Sequence, residues 1–108
     1  MDVDRVFDVL DEMVRRRGKP EVLIHGGATG VDMFADWWGL RRDIEIIRFP
    51  IPKQAWKEFG RRAGYMRNER MLKEGKPTLV MVFPGGAGTR MMSRMAQEMG
   101  YETIRSTF

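Results

Sequence analysis

Apolar positions along the chain alternate between a helical period and short unbroken runs, and that alternation lays out its elements. Val3, Val6, Phe7, Leu10, Met13 and Val14 recur at helical spacing. They run into Arg15, Arg16, Arg17 and Gly18, a basic end followed by a stop, so a first helix is predicted there. EVLIH predicts a short buried strand, GGATGVD a turn, and Val31, Ala35 and Trp38 the inner face of a second helix ending near Gly39. IEIIRFP predicts a second strand, residues 55–74 a helical stretch broken near Gly64, and PTLVMVFP a third strand. Met91, Met92, Met95, Ala96 and Met99 have the spacing of a core-facing helix, and YETIRSTF closes as an edge strand. Strands that alternate with helices pair in parallel, so the expected fold class is α/β, a parallel sheet flanked by helices. Doubly wound domains open on a strand and this order opens on a helix, so the sheet is expected to lack the usual first strand.

Two glycine-rich turns occupy equivalent places in that order. HGGATGVD follows the first strand and VFPGGAGTR follows the third, which puts both at the carboxyl ends of parallel strands, where open α/β sheets bind ligands. Both are expected to face one crevice. A glycine-rich turn that opens a helix leaves backbone N–H groups unpaired and directs the positive end of the helix dipole outward, an arrangement suited to an anion. In the first turn Gly26 and Gly27 allow a sharp bend, Thr29 is expected to cap the second helix, and Asp32 falls in its first turn. In the second, Pro84 ends the strand, Gly85, Gly86 and Gly88 allow a ligand close to the backbone, and Thr89 supplies a hydroxyl. Neither turn is a P-loop, and no G-x-G-x-x-G precedes a ribose-binding acid, so nucleotide hydrolysis of the P-loop kind and hydride transfer are both disfavoured.

Composition narrows the classes further. The chain has 108 residues, which suits a single domain, and carries a formal net charge of +4, which suits a phosphorylated ligand or a polyanion. There is no cysteine and one histidine, so no disulfide framework, metal site or cofactor is expected, and a reducing cytoplasm is the expected location. No apolar stretch approaches the length of a membrane span.

Three blocks, HGGATGVD, AW…GRRAGYMRNERML and FPGGAGTRMM…A…MG, together resemble the YspA-type, YpsA-related branch of the SLOG superfamily, over about Val22 to Arg105. Relatives in that superfamily include the Lonely Guy phosphoribohydrolases and the Smf/DprA DNA-processing proteins. The resemblance implies a Rossmann-like fold whose glycine loops hold a nucleotide or nucleotide-derived ligand, in a sensing or processing role, in bacteria and their phages. It also implies a departure. In the Lonely Guy motif PGGxGTxxE the glutamate is catalytic, and Met92 stands at that position here. Release of a base from a nucleoside monophosphate is therefore disfavoured, with Asp32 and Glu69 the other sources of a carboxylate.

The middle block adds side chains. Arg67 suits a forked contact to phosphate and Asn68 a ribose or base edge; the competing reading pairs Arg67 and Arg70 with Glu69, Glu74 or solvent. Trp56 is expected to pack rather than stack on a base, and His25 to fix the first turn rather than shuttle protons. Adjacent Trp37 and Trp38 point about 100° apart on a helix, so one of them is expected to meet a partner in a homo-oligomer. Nucleic acid is the alternative partner, held by Arg15, Arg16, Arg17, Arg41, Arg42, Arg61 and Arg62 in a DprA-like manner.

Overall fold

A computed structural model describes residues 2–84 and 87–106. Its elements run α1 (Val3–Arg17), β1 (Val22–His25), α2 (Val31–Arg41), β2 (Glu45–Arg48), α3 (Lys53–Phe59), α4 (Arg62–Gly75), β3 (Val80–Val82), α5 (Ala87–Glu98) and β4 (Thr103–Arg105). The fold is α/β, with the alternating helices and parallel strands of a Rossmann-like chain. It divides into two compact units, Met1–Pro50 and Ile51–Phe108.

In the first unit β1 and β2 pair in parallel, with Val22 opposite Glu45 and His25 opposite Arg48. Asp2 caps α1 by accepting the Arg5 N–H at 2.8 Å, and Gly18 ends the helix at a φ of +88°, closed to most side chains. Helix α2 lies on the strand pair through Gly39. A β-carbon there would stand 3.1 Å from Leu23 Cδ2 and 3.3 Å from Ile46 Cδ1, so the missing side chain permits the close approach. The tandem tryptophans diverge as expected: Trp38 is buried and Trp37 is exposed. One capping expectation is corrected. The N-cap of α2 is Gly30 at a φ of +86°, with no side-chain hydrogen bond to the helix, and Thr29 is exposed in the loop before it.

In the second unit β3 and β4 pair in parallel, Val80 opposite Thr103. Leu72, Val80, Val82, Met95 and Ala96 form its core, with Met91, Met92 and Tyr101 packed against them. The Tyr101 hydroxyl donates to the Leu72 carbonyl at 2.7 Å and ties the end of α4 to the approach to β4. Met99 departs from the expected core face and is exposed, and Trp56 is likewise exposed rather than packed. The break in the 55–74 stretch falls at Gly60, whose φ is +57° and whose N–H closes α3 on the Trp56 carbonyl at 2.9 Å. Gly64 continues within α4, because helices carry an internal glycine at modest cost while a positive φ ends them. Among the described residues no helix is long and apolar enough to cross a membrane.

Candidate functional site

The loop between β1 and α2 is held by side chains from three elements. His25, buried at the end of β1, accepts the Gly27 N–H on Nδ1 at 3.0 Å. An amide can only donate, so Nδ1 is unprotonated and the ring proton sits on Nε2, which donates to Asp36 Oδ2 at 2.6 Å. Asp36 also receives Arg48 through a fork, Nε to Oδ2 at 2.6 Å and Nη2 to Oδ1 at 3.1 Å. The Arg48 guanidinium holds the Asp36 carboxyl below the usual carboxylate range; its burial opposes this and the His25 hydrogen bond adds to it. The parallel ladder continues past the strand, with Phe49 N–H donating to the His25 carbonyl at 2.9 Å.

Asp32 braces the same loop from one helical turn away. Its Oδ2 accepts the Gly26 N–H at 3.1 Å and the Ala28 N–H at 3.2 Å. The three successive N–H groups of Gly26, Gly27 and Ala28 thus all end on side chains of this unit. Gly27 has a φ of +76° and lies against Pro50, so the bend falls at the residue able to adopt it. His25 therefore fixes the turn, as expected from sequence. Asp36 and Arg48 stand outside both glycine turns in the sequence, where the one signal is the i,i+4 spacing of Asp32 and Asp36, which puts both carboxylates on one face of α2.

The other candidate residues lie in the second unit. Arg67 Nε donates to Asn68 Oδ1 at 2.9 Å, and Asn68 is buried on α4, so its carbonyl orients the guanidinium. Arg70 pairs with Glu74 at 2.8 Å, as the competing reading has it. Pro84 is exposed after β3, and Gly88 and Thr89 fall in the first turn of α5. Gly85 and Gly86 lie outside the described residues. Several arginines of the alternative polyanion track have partners within the fold. Arg15 and Arg16 pair with Glu12, Arg42 meets Asp11 at 2.8 Å, and Arg41 lies over the Phe7 ring.

These features define a Rossmann-like α/β protein with a braced glycine turn at the carboxyl end of a parallel strand. The chain belongs to the YspA, cpYpsA-related SLOG family, whose match covers residues 1–55 and includes the braced turn. It is similar to the Gene 61 protein of Mycobacterium phage D29, 35% identical over 107 residues that make up 95% of this chain and 85% of that protein. No solved structure matches. Membership of the SLOG family associates the chain with nucleotide-related ligands in general.

Proposed function

We propose that residues 1–108 act as one nucleotide-binding domain that holds a nucleotide or nucleotide-derived ligand through its two glycine-rich loops, in a sensing or processing role. The observation that carries this reading is the braced turn of His25–Asp32 in a SLOG family member. The bracing also divides the work. The Asp32 carboxylate already occupies the Gly26 and Ala28 amides, so its charge repels a phosphate there and suits hydrogen-bond donors of the ligand, such as hydroxyls, alongside Gly27 and Thr29. Phosphate is assigned to Pro84, Gly85, Gly86, Gly88 and Thr89 at the start of α5, with Arg67, oriented by Asn68, as the charged partner.

Binding without base release is the reading favoured by Met92, which packs on the core where the Lonely Guy motif has its acid. Self-association belongs to the same proposal, supported by the exposed Met33, Trp37 and Leu40 at i, i+4 and i+7 of α2; light scattering at high concentration decides it. A cytoplasmic location belongs to the same proposal, and a chain free of cysteine is compatible with it.

Calorimetric titration with AMP, ADP-ribose and a single-stranded oligonucleotide at two salt concentrations tests the reading. Saturable binding of a mononucleotide or ADP-ribose with a shallow salt slope is expected. Oligonucleotide binding that falls steeply with salt, with no mononucleotide bound, overturns it in favour of the nucleic-acid alternative.

A further inference from the structure

We propose that the corner where α3 meets α4 is a docking surface for single-stranded nucleic acid, built from residues outside both glycine loops. Charge is divided unevenly along the chain. Residues 51–108 hold 11 of its 19 Lys and Arg but only five of its 15 Asp and Glu, so this unit carries +6 and residues 1–50 carry −2. The positive excess of the chain therefore lies in the second unit, and a polyanion is the partner complementary to it.

Within that unit Trp56 to Arg62 form an unbroken exposed run, WKEFGRR, across the end of α3, the turn at Gly60 and the start of α4. Helix α3 buries none of its residues. Trp56 and Tyr65 are each 49% exposed and Phe59 38%. Trp56 and Phe59 are neighbours at i,i+3 on α3, and Arg62 and Tyr65 at i,i+3 on α4, so rings and cations alternate around the corner. The space beside Gly60 is open, since a β-carbon there would meet nothing within 4 Å beyond its chain neighbours. Among the described residues no carboxylate pairs with Lys57, Arg61 or Arg62, whereas further along α4 Arg70 pairs with Glu74 and Lys73 with Glu69. Glu58 is the single acid in the run and leaves it net positive.

Magnitudes choose the occupant. A base stacked on one aromatic ring strengthens binding roughly five- to 150-fold, and every base has a face to stack, so a few rings set among cations suffice for a flexible strand. A membrane surface needs a broad apolar face, which a seven-residue helix carrying Lys53 and Lys57 lacks. An acidic peptide would engage the cations and leave the rings unused. A duplex keeps its bases stacked on one another and offers this corner phosphates alone. The surface also differs from the arginine track considered from sequence, of which Arg15, Arg16 and Arg42 are paired with carboxylates in the first unit.

The test follows the full chain by anisotropy with a fluorescein-labelled oligothymidylate of about 12 nucleotides, over a range of salt and with excess AMP in a parallel series. Binding is expected with a slope of log K against log salt of about −2, the value for three phosphate contacts on a single strand. AMP is expected not to displace the strand, and a duplex of the same length to bind more weakly. Trp56→Ala is expected to weaken binding by the factor for one stacked base, while Trp56→Phe keeps most of it. Lys57→Gln combined with Arg61→Gln is expected to make the slope shallower by about 1.4. All three positions are exposed, and thermal unfolding checks that each variant is folded. No binding at low salt, displacement by AMP, a duplex bound as tightly as the single strand, or undiminished binding by folded Trp56→Ala each overturns the proposal. So does capture of phosphatidylserine vesicles or polyglutamate in place of the oligonucleotide. Calorimetry with AMP alone reads the nucleotide site separately, so either proposal can fail and leave the other standing.

Discussion

The indole N–H of Trp38 donates to Asp11 Oδ1 at 2.8 Å, and Arg42 Nη2 meets the same oxygen at 2.8 Å from above the indole ring. One carboxylate oxygen thus joins α1 to α2 by answering a buried donor and a cation together. Asp11→Ala leaves the indole N–H of a residue only 1% exposed without its acceptor, and a loss of about 1–3 kcal/mol is expected. Asp11→Asn keeps an acceptor oxygen and is expected to lose less. Urea unfolding of both variants checks the order; equal losses would mean that the charge pair, not the indole bond, carries the stability.

Asp36 predicts how stability depends on pH. Its carboxyl is held low in the folded chain, chiefly by Arg48, so its stabilising contribution is present above the unfolded carboxylate value and is lost as pH falls through the folded one. Glu12 and Glu74 are also lowered, but by exposed arginines whose pairing contributes little. Urea midpoints measured down the acid range are expected to fall, and Asp36→Asn is expected to start lower and fall less steeply. An unchanged slope in the variant would remove Asp36 from the account.

Gly39 is a packing position rather than a turn. Its missing β-carbon would stand 3.1 Å from Leu23 Cδ2 and 3.3 Å from Ile46 Cδ1, both ends of branched side chains able to give by a few tenths of an ångström. Gly39→Ala is therefore expected to cost little, because helix propensity offsets the crowding. Gly39→Val, with two further carbons in the same gap, is expected to destabilise by about 1–3 kcal/mol. Thermal unfolding of the two variants distinguishes this from a glycine required only for backbone freedom, where both would cost alike.

Most of the architecture was legible because periodicity reports burial. Val6, Leu10, Ala35 and Trp38 are buried where the helical spacing puts them, and the apolar runs became strands. What was misread depended on competition between nearby groups. Gly64 and Gly60 look alike in sequence, and only the second adopts a positive φ. Thr29 is a favourable cap by type, yet Gly30 takes the N-cap position and Asp32 takes the loop amides. The His25, Asp36 and Arg48 network was invisible for a different reason. Its members come from a strand, a helix and a second strand, and only the register that sets His25 beside Arg48 brings them together. Gly85 and Gly86 lie outside the described residues.

Arg67 links the phosphate assignment to a measurable loss. Removing a charge-assisted hydrogen bond to a phosphate costs about 1.5–3 kcal/mol, so Arg67→Ala is expected to weaken mononucleotide binding by that amount. The same change leaves the buried Asn68 Oδ1 without its Nε partner, so some stability goes with it. Calorimetry at a temperature where the variant remains folded separates the two effects. Undiminished affinity would take Arg67 out of the site.

Met92 sets binding against chemistry. It packs on the core of Leu72, Val80, Val82, Met95 and Ala96, at the position where the Lonely Guy motif carries its catalytic glutamate. Little or no adenine is therefore expected to be released from AMP by the parent chain, and chromatography of the reaction mixture measures it. Met92→Glu restores the acid but presses a carboxylate against apolar side chains, which is expected to cost about 1–3 kcal/mol. That burial raises the folded carboxyl value above the unfolded one, so the penalty is full above the folded value and fades as pH falls through it toward the unfolded one. Urea midpoints of the variant are thus expected to approach those of the parent in acid. A variant as stable as the parent at neutral pH would show that the side chain at 92 turns away from the core, and rapid adenine release by the parent would sink the reading of binding without base release.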